Sequence, residues 1–464
     1  MALTRHERLK IVRDLFRLGW PVLIAQLAVM ANSVIDTVMA GRYGTLDLAA
    51  VGVGGAVYAS VFVTLMGVLL GLTPQIAQLH GAGRHAAIGE EVRQSTWLCM
   101  VLGAVSVALL LAPGPILALS RLEPAVAAKT RTYLAALAWG VPAALLFRVF
   151  YSFTTAVSRP RAVMVINLVG LTLKVPLNLV FMYGYFGLPA MGGAGCGAAT
   201  AVIGWIVCIG AWVYSGRARV HWPYRVFARW SSPDRRALAR LLAVGLPIGV
   251  TFLVDVTAFT FMSLFIARLG PTIMGAHQVV ANLAAVAFML PLALGNAAAV
   301  LVGHAIGGNH YARARSTGIV ALVLAVALGG VTGSVLALGA RPITALYTSD
   351  ASVHATATAL LALVAIYHVF DAIQIVAVNV LRGYKRTVVP MVVYAVALWG
   401  LGLGGGYLVG LTDIDLSWLG IATPLGARGF WGAAIASLAL AGALVTIYFL
   451  YVSRAIATGE GQSG

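Results

Sequence analysis

The sequence predicts an all-α polytopic membrane protein with about twelve transmembrane helices in two pseudo-symmetric six-helix bundles. Of its 464 residues, 61% are hydrophobic and 10% are charged, and the mean hydropathy is +0.94. Such a chain has too few polar side chains to cover a soluble globule of this size. Its apolar stretches are long enough for spanning helices, which excludes an outer-membrane barrel of short strands. The predicted spans are 14–40, 48–72, 94–119, 131–157, 162–187, 193–215, 239–267, 274–303, 316–340, 354–381, 387–410 and 429–453.

The positive charge predicts the topology. With the N-terminus in the cytoplasm, 22 of the 31 Lys and Arg residues, Arg382 among them, fall on the cytoplasmic side. Seven, including Arg121 and Lys129, fall outside, and Arg148 and Lys174 lie within spans. This bias is typical of a membrane protein with both termini in the cytoplasm. The formal charge of +17 therefore indicates contact with anionic lipid and not nucleic-acid binding.

An internal repeat divides the chain. We expect an N-terminal six-helix bundle (1–215), a basic cytoplasmic linker (216–238) and a C-terminal six-helix bundle (239–464). Six spans per half give the repeats the same orientation, which is typical of transporters whose two bundles rock around a central cavity. A channel is disfavoured because no filter loop or ring of charges is present. A shift of 226 residues aligns Gly19 with Gly245, Pro21 with Pro247, Arg42 with Arg268 and Gly44 with Gly270.

Three carboxylates lie inside the predicted spans: Asp36, Asp255 and Asp371. A charged Asp at the centre of a spanning helix is unfavourable by about 2.5–3.5 kcal/mol on insertion scales, so each should face protein, water or a cation. Tyr367 and Gln374 share the helical face of Asp371, which predicts a polar stripe along a cavity. The alternative is that Asp371 is a structural residue that joins two helices by hydrogen bonds.

Further oxygen donors lie close to these acids in the sequence. Asn32 precedes Asp36 by one turn, Thr251 precedes Asp255 by one turn, and the eighth span adds Gln278 and Asn282. Carboxylate, amide and hydroxyl oxygens are suitable ligands for Na⁺, so Asp255 and Asp371 are candidates for a Na⁺ site. Buried carboxylates also bind protons, and the sequence leaves Na⁺ and H⁺ both open.

Two basic side chains, Arg148 and Lys174, also lie in spans. We expect each to form a structural ion pair with a buried acid, with recognition of an anionic substrate as the alternative. Asn178 is expected to form hydrogen bonds between helices. The three cysteines match no disulfide or metal-binding motif.

Several segments together resemble the multidrug and toxic compound extrusion (MATE) transporters, specifically the NorM branch. The resemblance runs nearly end to end. It is carried by IDTVMAGRYG (35–44), PLNLVFMYG (176–184), GAHQVVANL (275–283), FMLPLALG (288–295), YHVFDAIQ (367–374) and LRGYKR (381–386).

The resemblance implies a multidrug efflux antiporter of the bacterial inner membrane that confers antibiotic resistance, acts as a monomer and needs no cofactor. It would export amphipathic, mostly cationic drugs and dyes in exchange for inward Na⁺ or H⁺. Asp255 and Asp371, with Tyr367 beside them, would form the cation site of the C-terminal half, and Asp36 would be the acid of the N-terminal half.

Two departures from the family pattern concern the coupling ion. The NorM branch generally has Glu in place of Asp255, and the DinF-like branch has an acid in place of Met182. The N-terminal half therefore retains Asp36 with Asn178 and Thr200 as helpers, which favours the C-terminal half as the main coupling site.

Two other functions are less consistent with the sequence. A flippase for lipid-linked sugars or polyprenyl diphosphates would need a basic cavity for its anionic substrates, whereas the predicted cavity holds three acids against the two basic residues Arg148 and Lys174. A membrane-embedded enzyme is disfavoured because the spans contain no HExxH, GxSxG or paired-His motif.

Overall fold

The computed structural model describes residues 4–114, 117, 122–414 and 424–458, and the regular structure in these ranges is helical. The first half contains α1 (Arg5–Tyr43), α2 (Thr45–Leu69), α3 (Leu72–Gly81), α4 (His85–Leu111), α5 (Pro124–Ala138), α6 (Val141–Ala156), α7 (Pro160–Tyr183) and α8 (Gly193–Arg217). The second half contains α9 (Arg235–Ala267), α10 (Pro271–Gly307), α11 (Tyr311–Leu338), α12 (Ala340–Ala345), α13 (Ala351–Gly383), α14 (Val388–Ala395), α15 (Gly405–Leu411) and α16 (Ala427–Thr458).

The lengths and composition of these helices confirm the predicted fold class. Within the described ranges, eleven helical segments are long and apolar enough to cross a membrane. Helices α5 and α6 are bent by 45° relative to each other, and if this pair is counted as one span the number of spans rises to twelve. Helices α14 and α15 form one such segment because a π-helical stretch, Val396–Gly404, joins them. The end of the predicted span 94–119 and Arg121 lie outside the described residues.

Local signals explain where several helices begin. Proline occupies the first or second position of four helices, where its missing N–H removes no helical hydrogen bond. These prolines are Pro124, Pro142, Pro160 and Pro271. The site-bearing helix α13 instead begins after Asp350, whose Oδ1 accepts hydrogen bonds from the backbone N–H groups two and three residues later, at 2.8 and 3.0 Å.

The helices form two compact units. One unit consists of Met1–Gly19 and Val250–Gly464, and the other of Trp20–Gly249. We call them the C-unit and the N-unit. The units divide the chain inside α1 and α9, whereas the bundles predicted from the sequence divide it at the linker. Each division lies within a few residues of a helical proline, Pro21 or Pro247, where the helix has lost a backbone hydrogen bond.

The segment that follows α8 is held against the start of α4 within the N-unit. Arg93 Nη1 donates to the carbonyl oxygens of Arg225 and Val226 at 2.8 and 3.0 Å. Glu90 accepts hydrogen bonds from Arg93 at 2.7 Å and from Ser231 at 2.9 Å. The basic linker is therefore partly neutralised and anchored by an acid of the neighbouring helix.

Helix α9 approaches the end of α2 within the N-unit so closely that no side chain fits between them. A Cβ added at Gly245 would lie 2.0 Å from the carbonyl oxygen of Val68, a distance at which the backbone must move. We expect Gly245→Ala to lower the midpoint of thermal unfolding in detergent by roughly 5 °C, because such overpacking costs about 1–3 kcal/mol.

Gly55→Ala is the matched control, since a Cβ at that glycine of α2 meets nothing within 4 Å. Alanine is the better helix former, so this variant should be at least as stable as the original protein. Equal midpoints for the two variants would contradict the close packing of α9.

Candidate cation-binding site

A cavity of about 210 Å³ lies within the C-unit and contains both of its intramembrane acids. Its apolar wall includes Phe252, Phe259 and Phe288. Apolar walls with a few convergent polar groups are typical of small-ligand sites. The polar lining consists of Thr251, Asp255, Tyr367, Asp371, Gln374, Arg382 and Tyr394.

Helical spacing explains why α13 contributes most of the polar groups. Tyr367, Asp371, Gln374 and Arg382 follow one another at intervals of four, three and eight residues, which keeps them on one face of the helix. Asp255 comes from α9 and completes the acid pair. The structure thus brings Asp255, Asp371, Tyr367 and Gln374 together in one cavity.

The two acids of this cavity have different partners. The Tyr394 hydroxyl donates to Asp255 Oδ1 at 2.6 Å. Asp371 is only 6% exposed, yet it has no hydrogen bond or ion pair with any described residue. A carboxylate that faces a small cavity without a donor or counterion from the described residues has an unbalanced charge, so the arrangement suits a bound cation or proton.

Two cavity residues were missed by the sequence analysis. Tyr394 has no polar neighbour on its own helix that would mark it, and the acid that it contacts lies 139 residues away in the sequence. Arg382 was counted among the cytoplasmic basic residues, but it is 5% exposed and lines the cavity. Its Nη1 donates to Asn379 Oδ1 at 3.1 Å, and its Cζ lies 5.7 Å from the centre of the Phe252 ring.

The structure does not bring Gln278 and Asn282 to this cavity. Both are exposed, and Asn282 Oδ1 accepts a hydrogen bond from the Tyr347 hydroxyl at 2.9 Å. The reason is the rotation of α10, which directs another face toward the cavity. That face consists of Ala281, Ala284, Ala285 and Phe288.

The third acid, Asp36, lies in the N-unit and has a counterion of its own. Lys174 Nζ is 2.8 Å from Asp36 Oδ1, and the lysine side chain is 1% exposed. This contact confirms the structural ion pair predicted for Lys174. Asn178 Nδ2 also donates to Asp36 Oδ1 at 2.8 Å. Asn32 forms no hydrogen bond with Asp36, and its own Oδ1 is buried without a partner.

Thr200 has a weaker part in this cluster. Its Oγ1 is 3.5 Å from Asp36 Oδ2, accepts from Lys174 Nζ, and donates to the carbonyl oxygen of Cys196 at 2.8 Å. Because its single proton already serves Cys196, Thr200 positions Lys174 more than it stabilises the carboxylate.

Asp47 is a buried acid that the sequence analysis did not identify. It lies in the first turn of α2, 2.8 Å from Lys129 Nζ, and accepts a hydrogen bond from the backbone N–H of Gly193 at 2.7 Å. The charge is compensated on two sides, so this pair is a structural contact.

Both halves of the chain match a known protein family. The MatE family model matches the chain twice, over residues 21–180 and 247–408. The two matches begin 226 residues apart, which confirms the predicted repeat and its offset. The structure also resembles the crystal structure of the Vibrio cholerae MATE transporter VcmN in the bent form, with a TM-score of 0.85, 18% identity and coverage of 98% of this chain and 99% of that one.

Similar proteins are found over nearly the whole chain. The probable multidrug resistance protein NorM of Aromatoleum aromaticum is 44% identical over 435 residues, 93% of this chain and 92% of its own. The multidrug resistance protein PmpM of Pseudomonas aeruginosa is 37% identical over 449 residues, 96% of this chain and 93% of its own. The chain therefore belongs to the MatE family of transporters, as its sequence motifs predicted.

Proposed function

We propose that this protein exports amphipathic, mostly cationic drugs and dyes in exchange for an inward flow of Na⁺ or H⁺. As a member of a transporter family it is not an enzyme. Relatives at 44% and 37% identity are named multidrug resistance proteins, which supports the substrate class. The main support for ion coupling is the position of Asp371, whose carboxylate has no partner among the described residues and lies in one cavity with Asp255.

The lining of the C-unit cavity supports a cation site at these two acids. Hard cations require several oxygen ligands, and here carboxylate, phenol and amide oxygens lie around the same space. Tyr394 holds one oxygen of Asp255, which leaves the other oxygen and both oxygens of Asp371 for the ion. A proton on either carboxylate would neutralise the same charge. Asp36 already has Lys174 as a counterion, so we assign the main coupling role to the C-unit.

Antiport requires that each ligand binds one conformation more tightly than the other. The coupling ion would favour the state that releases drug outside, and the drug would favour the state that releases the ion inside. Exchange of one Na⁺ or H⁺ for one monovalent cationic drug moves no net charge across the membrane. Such exchange depends on the chemical gradient of the ion alone.

The surroundings of the transporter are part of the proposal. We propose the inner membrane of a bacterium, both termini in the cytoplasm, contact of the basic loops with anionic lipid, and a monomer as the working unit. The excess of Lys and Arg on the predicted cytoplasmic side and the bacterial relatives support this placement.

Dye transport in proteoliposomes tests the proposal and identifies the ion. One set of vesicles receives a Na⁺ gradient at equal pH, and a second set receives a pH gradient in Na⁺-free buffer. We expect counter-transport of a cationic dye with one of the two gradients and none without a gradient. An ionophore that dissipates the effective gradient should stop it. Absence of transport with both gradients, by protein shown to be correctly reconstituted, would overturn the proposal.

A further inference from the structure

Arg148 is a partly buried basic residue of the N-unit that has no ion pair with any described residue. It lies near the middle of α6, seven residues after the first residue of that helix and eight before its last. Among the described residues it forms no ion pair, and its Nε is buried without a hydrogen-bond partner. A buried charge without compensation is rare because it has lost the stabilisation of water.

Other buried charges of the N-unit are compensated, which makes Arg148 an exception. Asp36 is paired with Lys174 at 2.8 Å, and Asp47 with Lys129 at 2.8 Å. The N-unit therefore contains acids, but these acids are committed to other cations. No described residue supplies a counterion to Arg148.

The geometry around Arg148 leaves its Nε donor available. Its Cζ lies 4.1 Å from the centre of the Tyr151 ring, so the ring stabilises one face of the guanidinium group. The N–H donors lie in the plane of the group and are not used by this contact. The Tyr151 hydroxyl and Gln26 Oε1 of α1 are buried close by, so polar atoms from two helices lie around the guanidinium group.

We propose that Arg148 binds the carboxylate of zwitterionic substrates during export. A guanidinium group binds a carboxylate through two parallel N–H···O bonds, and the partly exposed ring of Phe147 on the same helix suits the ring systems of amphipathic compounds. This inference rests on the proposed export function and identifies the residue that recognises the acidic group of such substrates. Arg148 is then a specificity residue that purely cationic substrates do not need.

A matched pair of substrates tests this role directly. A fluoroquinolone with a free carboxylate and its ethyl ester carry the same amine and the same rings and differ in the anionic group alone. Ion-driven transport of both is measured in proteoliposomes with the original protein, Arg148→Met and Arg148→Lys.

For Arg148→Met we expect the KM of the acid to rise about tenfold or more, the equivalent of about 1.4 kcal/mol, while the KM of the ester changes by less than about twofold. Arg148→Lys retains the charge but not the paired donors, so its KM for the acid should lie between those of the other two proteins. Ester transport also reports correct folding. Failure of the original protein to transport either compound would instead count against the export function itself.

Two results would overturn the role of Arg148. One is an equal change for acid and ester in Arg148→Met. The other is a requirement for chloride, tested by replacing chloride with gluconate. If this replacement slows transport of both compounds by the original protein but not by Arg148→Met, the anion that Arg148 binds is chloride. If the Met variant does not fold, competition by benzoate tests the role of Arg148 in the original protein. Benzoate should inhibit transport of the acid and not of the ester, and equal inhibition of both would overturn the role.

Discussion

Replacing Asp371 with Asn is expected to abolish ion-driven export. The substitution keeps the size of the side chain but removes one of the two negative charges in the C-unit cavity, and no described residue provides a substitute. Attraction between unit charges about 4 Å apart amounts to roughly 4 kcal/mol at an effective dielectric constant of 20, so affinity for a coupling cation should fall about a hundredfold or more.

The measurement is resistance to a cationic dye in an efflux-deficient bacterial host at equal expression, together with counter-transport in proteoliposomes. Asp413→Asn removes the same charge from an exposed position outside the spanning helices and serves as the control. The control should transport normally. Unchanged resistance in the Asp371 variant would show that the cavity acid does not couple the ion.

Replacing Lys174 with Met is expected to produce the largest loss of stability. The lysine side chain is 1% exposed, and its removal would leave Asp36 as a buried anion with only neutral donors such as Asn178. Breaking a buried ion pair from one side costs about 3–5 kcal/mol. The midpoint of thermal unfolding in detergent should fall accordingly.

The double variant Asp36→Asn, Lys174→Met should recover most of this loss, because both charges are then absent from the buried site. The four proteins form a double-mutant cycle that measures the coupling between the two side chains. Since we assign ion coupling to the C-unit, the double variant should still transport dye with an ion gradient. A stable double variant without transport would show that Asp36 takes part in coupling.

The outcome for each acid shows where reasoning from sequence was sufficient. The position of an acid in an apolar span is a local property, and it identified Asp36, Asp255 and Asp371 without any structure. Helical spacing on one chain segment also predicted that Tyr367 and Gln374 accompany Asp371. The same reasoning was wrong to group Gln278 and Asn282 with the acids, since the rotation of α10 turns alanines and a phenylalanine toward the cavity.

Contacts between distant segments could not be predicted in this way. Tyr394 and Asp255 are 139 residues apart, and Asn178 and Asp36 are 142 residues apart. Such pairs depend on how neighbouring helices cross and rotate, which is set by packing along their whole length. For the same reason the position of Arg382 near a helix end did not indicate that its side chain is buried and lines the cavity.

By itself the sequence determined the all-α membrane fold, the number of spans, the 226-residue repeat and the family, since hydropathy, residue periodicity and motifs are recorded along the chain. Only the tertiary structure decided which intramembrane charges are neutralised. Asp36 forms an ion pair with Lys174, Asp371 faces a cavity, and Arg148 lies against the ring of Tyr151 without an acid among the described residues. The physical reason is that the free energy of a buried charge depends on the groups within a few ångströms, which distant parts of the chain supply.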